Sequence, residues 1–254
     1  MHTTSLLGNQ VRRIARKKIQ GVKVKTIGLI GGMSWESTIP YYRKINQHIK
    51  QQLGGLHSAK IVLVSVDFHE IEQFQRQGDW DAAGRAMADA AQRLQHADAD
   101  FIVLCTNTMH KVAQDIEDAV AIPLLHIADP TAIAIKKAGL HKVGLLGTQF
   151  TMEQKFYRER LIDQHSLDVV IPEPDERAMI HRVIYDELCL GITSASSRHA
   201  YQQVIEHLQQ KGAQAIILGC TEIGLLISQA DACLPLFDTT ALHAKAAADM
   251  ALAL

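Results

Sequence analysis

Asp100-Phe-Ile-Val-Leu-Cys-Thr-Asn-Thr-Met-His-Lys111 reads as a strand that ends in a polar cluster. Four apolar residues, Phe101 to Leu104, make a short buried strand, and Cys105 to Thr108 follow where a helix should begin. Open α/β sheets bind their ligands at the carboxyl ends of such strands. A second stretch, Gln214 to Gly224, repeats the pattern, with Ala215 to Leu218 leading into Gly219-Cys220-Thr221-Glu222. Two strand ends with small nucleophilic side chains imply one active site between two halves.

Working outward, Val24 to Ile30 reads as the opening strand, and it runs into Gly31-Gly32-Met33-Ser34, where the backbone can approach a ligand. Met33 and Ser34 are expected to contact substrate. The pattern Gly-x-Gly-x-x-Gly is absent, which argues against a nicotinamide cofactor. A helix is expected over 37–51 with Pro40 in its first turn, then a strand over 61–66 and an Ala-rich helix over 79–96. After the quoted strand come a helix over 109–119 and a short strand over 123–127.

Then the order begins again. His141 to Thr148 resembles the opening strand and loop, placing Thr148 beside the expected site; Tyr157-Arg158 resembles Tyr42-Arg43, and Leu234 to Asp238 echoes Ile122 to His126. The matches Gly31/Gly147, Tyr42/Tyr157 and Pro123/Pro235 lie at offsets of 116, 115 and 112, a drift that small loop indels within a duplication produce. The fold expected is α/β: two pseudo-symmetric domains, each a parallel sheet flanked by helices, with the active site in the cleft. We divide the chain into a basic extension at 1–24, a first half at 25–130 plus 238–254, and a second half at 131–237. The Ala-rich helix after Asp238 has no strand beyond it and is expected to pack back on the first half.

The repeat sets which residues face each other. At an offset of 114, Leu94, Gln95, Ala99, Ile102 and Leu104 meet identical residues at 208, 209, 213, 216 and 218. On that register Thr106, not Cys105, is the partner of Cys220. Cys105 pairs with Gly219, Asn107 with Thr221 and Thr108 with Glu222.

A formal net charge of −1 and a pI near 6.9 give no electrostatic reason for nucleic acid or an anionic membrane as partner. Cysteines at 105, 189, 220 and 233 lack paired spacing, which fits a reducing cytoplasm. Arg12, Arg13, Arg16, Lys17 and Lys18 form a basic patch with no apolar stretch long enough for a signal peptide; a transit peptide is the rival to a plain extension. Cys105 and His110 are five apart but belong to no four-ligand set, so no metal is expected. Cys105, Cys189 and Cys233 read as small core hydrophobes.

The duplicated halves, the Gly-Gly-Met loop, Asn107-Thr108-x-His110 and Cys220-Thr221-Glu222 together resemble the aspartate/glutamate racemase family from residue 24 onward. Most members carry Cys-Asn-Thr in the first half; here Thr106 stands in the place of that cysteine, which resembles the bacterial L-aspartate/glutamate-specific branch. The resemblance implies a cofactor-independent racemase, a homodimer, acting on the acidic amino acids aspartate and glutamate as small-molecule substrates. Racemisation without pyridoxal phosphate needs one group to take the α-proton from one face and another to return a proton opposite. Cys220, at a helix N-terminus, is expected to have a lowered thiol pKa and act as thiolate base; Thr106 is the weaker partner, with His110 as a relay candidate. Asn107, Thr108 and Thr221 are expected to hold the α-carboxylate, and Glu222 the ammonium. His57, Ser58, Arg177 and Arg182 are offered for the side-chain carboxylate. Rival readings are a maleate isomerase or hydantoin racemase type, and a non-catalytic amino-acid-binding module.

Overall fold

The computed structural model describes residues 24–253, so the basic tract with Arg12 to Lys18 lies outside the described residues. The first half runs β1 (Thr26–Gly31), α1 (Trp35–Leu53), β2 (Lys60–Ser65), α2 (Phe68–Gln77), α3 (Trp80–His96), β3 (Phe101–Leu104), α4 (Ala113–Ala119), β4 (Leu124–Leu125) and α5 (Ala128–Lys137). The second runs β5 (Lys142–Gly147), α6 (Gln149–Glu153), α7 (Lys155–Glu159), β6 (Asp168–Val170), α8 (Pro174–Asp186), α9 (Ala195–Gln210), β7 (Ala215–Gly219), α10 (Ile223–Leu226) and β8 (Leu236–Asp238). α11 (Thr239–Leu252) closes the chain.

Each half carries one parallel four-stranded sheet, and the strand orders β2-β1-β3-β4 and β6-β5-β7-β8 are the same. The registers match as well. Ile30 faces Leu104 where Leu146 faces Leu218, and Ile102 faces Leu124 where Ile216 faces Leu236. These pairings place Thr106 and Cys220 at equivalent points, as the offset of 114 requires.

The two-residue period of β3 explains why adjacent side chains there have different fates. Phe101, Val103 and Cys105 pack with Tyr41 and Ile45 of α1 and with Ala244, Ala247 and Ala251 of α11. Ile102 and Leu104 point the other way, onto Met87 and Leu94 of α3. Cys105 is therefore core, and α11 packs on the first sheet.

Several expectations need correction. The first helix starts at Trp35, so Pro40 lies beyond its first turn, and the hydroxyls of Ser37 and Thr38 donate to the Ser34 carbonyl. The strand offset of 116 equates Tyr157 with Tyr41, and both rings are fully buried; Tyr42 is exposed, so pairing it with Tyr157 was one residue off. The chain beyond Asn107 forms a 3-10 turn over Thr108–Val112 before α4. Helices α2, α5 and α8 and strand β6 are additional to the sequence reading. Among the described residues no helix is long and apolar enough to cross a membrane.

Candidate active site

The ends of β1, β3, β5 and β7 converge on one small cavity between the halves, lined among others by Met33, Thr106, Asn107, Thr148, Cys220 and Glu222. At Gly32 the backbone has φ +94, and a Cβ there would overlap the Val66 carbonyl, so only glycine carries Met33 and Ser34 to this position. Ser34 occupies the N-cap of α1 but its side chain does not cap the helix. Its hydroxyl donates instead to Glu222 Oε1 at 2.9 Å, and its backbone N–H to the same oxygen at 3.2 Å.

Glu222 is the centre of the second-half site. Its Oε2 accepts from the Cys220 thiol at 3.0 Å and from the Thr221 hydroxyl at 2.6 Å, while Cys189 Sγ lies 3.8 Å from Oε1. Burial, the Glu222 charge and the neighbouring Cys189 thiol push the Cys220 thiol well above its ordinary range. This corrects the expected lowering. α10 has only four residues, too short a dipole to oppose a carboxylate in contact with the thiol. In this arrangement Cys220 is a protonated donor.

The first-half site is neutral. Thr106 Oγ1 has no hydrogen-bond partner among the described residues, and Thr106 is nearly buried. His110 Nδ1 meets the backbone carbonyl of Thr106 at 2.7 Å, not its hydroxyl, and the Ile127 N–H donates to Nε2 at 3.2 Å. That pair of contacts fixes the Nδ1–H tautomer and uses both ring nitrogens. Burial and the adjacent His126 and His243 lower the His110 pKa well below its ordinary value. His110 thus holds the strand end and is no proton relay.

Asn107 Nδ2 donates to Thr239 Oγ1 at 3.1 Å, and that hydroxyl donates onward to the Leu218 carbonyl, which orients the amide. Asn107 Oδ1 is left buried with no partner. Thr108 Oγ1 reaches Thr148 Oγ1 of the second half at 2.9 Å, and Thr148 caps α6 by accepting from the Thr151 N–H.

Residues 30–247 match the Asp/Glu/Hydantoin racemase family. This chain belongs to that family. Racemases are isomerases, so the fold, the strand-end pair and the family agree on an enzyme. A broad specificity amino-acid racemase, RacX of Bacillus subtilis, is 24% identical over 229 residues, 86% of this chain and 95% of RacX. The crystal structure of a candidate Asp/Glu racemase from Yersinia pestis is 62% identical, with a TM-score of 0.84, and covers 90% of this chain and 100% of that one. An aspartate racemase homologue from Pyrococcus horikoshii is 32% identical with a TM-score of 0.76, covering 89% and 99%.

Within this racemase-family fold, Met33, Thr106, Asn107, Thr108, Thr148, Cys220, Thr221 and Glu222 all line the cavity, and Ser34 reaches it through Glu222. His57 and Ser58 do not. They lie in a surface groove with Tyr42 and Arg43, because the β2 edge carries the loop before it away from the cleft. Arg177 is held by Glu153 at 2.7 Å and by the Pro172 carbonyl at 2.7 Å, away from the cavity; Arg182 lines a neighbouring chamber. Cys189, read as a core residue, faces the cavity beside Glu222, and so do Phe68, Ile184 and Tyr185, which sequence reasoning missed. Phe68 lies on α2 and Ile184 and Tyr185 on α8, helices that hold equivalent places after β2 and β6, and Cys189 follows α8. Cys233 is exposed rather than core.

Proposed function

We propose that this protein is a cofactor-independent amino-acid racemase whose two acid/base groups are Cys220 and Thr106, unequal in strength, working on opposite faces of the α-carbon. The observation that carries the reading is their placement at equivalent strand ends on one cavity, with Cys220 bonded to Glu222. Aspartate and glutamate are the substrates proposed first, on the family's account, in a cytoplasmic homodimer.

Glu222 supplies the control step. A substrate ammonium can take the place of the Cys220 thiol as donor to Oε2, which frees the thiol and cancels the charge that held its proton. Asn107 Oδ1, the unpartnered acceptor, is a second seat for that ammonium. The freed thiol gives its proton to water, the thiolate takes the α-proton as general base and is a thiol again, and the Thr106 hydroxyl delivers a proton to the opposite face and is reprotonated by water, which inverts the centre. Enantiomers have equal energy, so the overall equilibrium is unity and any preference for the L form is kinetic.

A second reading is favoured by one specific observation. Among the described residues no lysine, arginine or histidine lines the cavity, so no cation there matches a side-chain carboxylate, and neutral amino acids fit its chemistry better. Exchange of the α-proton in deuterium oxide, followed by NMR on both enantiomers of aspartate, glutamate, alanine and serine, separates these readings. Binding of amino acids with no exchange on any of them would reject racemisation.

A further inference from the structure

The space inside the cavity at Cys220 and Thr106 is about 20 Å³, room for little more than one water. Beside it, between α2 of the first half and α8 of the second, lies a chamber of about 470 Å³ lined by Gln75, His181 and Arg182, by Arg76 with its ion-pair partner Glu72, and by Asp186. Tyr185 lines both spaces. Its hydroxyl donates to Gln75 Oε1 at 2.8 Å, and its ring stacks on Phe68 with centroids 6.3 Å apart and planes 20° apart. Gln75 is buried and its amide reaches Met109 Sδ at 3.1 Å, so the acceptor is fixed in turn. The partition is therefore built from both halves.

We propose that Tyr185 is a specificity-determining residue: it walls the reacting α-carbon off from the outer chamber and so limits the length and charge of the side chain that a substrate can carry. This rests on the racemase reading above. Side chains that stop short of Tyr185 meet Phe68, Ile184 and Met33. A longer or acidic side chain meets the outer arginines only by displacing the tyrosine from Gln75. Arg182 is exposed and takes part in no ion pair among the described residues, so it is the cation to which an acidic side chain would turn.

The test compares wild type, Tyr185→Phe and Tyr185→Ala by α-proton exchange on alanine, serine, aspartate and glutamate. Tyr185→Ala joins the two spaces, and the ratio of glutamate to alanine exchange should rise by about tenfold, the scale on which a pocket discriminates one methylene. Tyr185→Phe keeps the ring and should keep the wild-type ratio. An active Tyr185→Ala enzyme with an unchanged ratio overturns the proposal.

Thiol labelling decides the point without activity. A maleimide should modify buried Cys220 about tenfold faster in Tyr185→Ala, the same scale as that expected for exchange, while exposed Cys233 serves as the internal control. No rise at Cys220 with Cys233 unchanged overturns the partition. Absence of exchange on every amino acid in wild type counts against the racemase reading alone, and the labelling still stands or falls for Tyr185.

Discussion

The strand end at Cys220 and the strand end at Thr106 share one backbone plan and differ in where protons are held. At β7 a thiol and a hydroxyl donate to one buried carboxylate, with a second thiol beside it. At β3 the hydroxyl stands alone, the neighbouring side chain is an amide, and the histidine behind it is neutral. The sheets match in strand order and register, so the asymmetry is one of side-chain electrostatics and not of fold. Duplication sets the position of the two groups; the residues two places on, Thr108 and Glu222, set what those groups can do.

The largest effect should come from acid, and it should fall on the Thr106 side. His110, His126 and His243 sit behind β3 and β4, with the His126 and His243 pKa values lowered to about 2 and about 4 by burial. Their folded values lie below the unfolded one, so the stability they allow is complete above roughly pH 6.5 and is lost as pH falls. Three such groups approach about 4 kcal/mol per pH unit only where all are neutral in the folded state and charged in the unfolded one, which is below roughly pH 6. Urea melts at pH 7, 6 and 5 measure it; a flat profile would mean that water reaches the trio. Next, Cys220→Ser should cost about 10³-fold in α-proton exchange, within the range for loss of a general base, with its urea midpoint near wild type. Exchange that survives this change would move the base elsewhere, first to Cys189.

The register of that comparison was legible before the structure, because identical residues at 94, 95, 99, 102 and 104 and their partners fix a parallel strand against its neighbour. One residue of slip would have put Cys105 at the site, and the alternation of β3 sends it to the core. Local signals also bound two of the additional helices, Asp67 and Gly78 at the ends of α2 and the Glu173/Glu176 capping box that opens α8. Tyr185 and Cys189 were not legible, since their role comes from where α8 ends against α2 and no local pattern encodes that contact. The direction of the Cys220 shift was hidden for a similar reason. A glutamate two residues on can point to solvent or back at the thiol, and only packing against Ser34 decides it.

Glu222→Gln sharpens the comparison next. Wild-type exchange from the Cys220 face should climb with pH through the alkaline range, because the thiol is raised and its base form grows as protons leave. Removing the carboxylate removes a cause of that rise, so the alkaline limb should move to lower pH by about one unit, roughly the effect of one charge in contact. A limb that stays in place would take Glu222 out of the thiol's control.

The smallest effect expected, and the most direct attempt to erase the asymmetry, is Thr106→Cys. Position 106 has a neutral histidine contact through its backbone and Thr108 where the other half has Glu222, so a thiol placed there escapes the carboxylate that holds Cys220 protonated. A gain of about tenfold in exchange of the enantiomer that is slower in wild type is the expected result, at the low end for adding a competent acid/base group. The faster enantiomer should change little, since its proton leaves toward Cys220. Equal gains for both enantiomers would show that Thr106 limits a step common to the two directions. A loss for both would show that the hydroxyl itself positions substrate, and the two strand ends would then divide binding from proton transfer instead of sharing it.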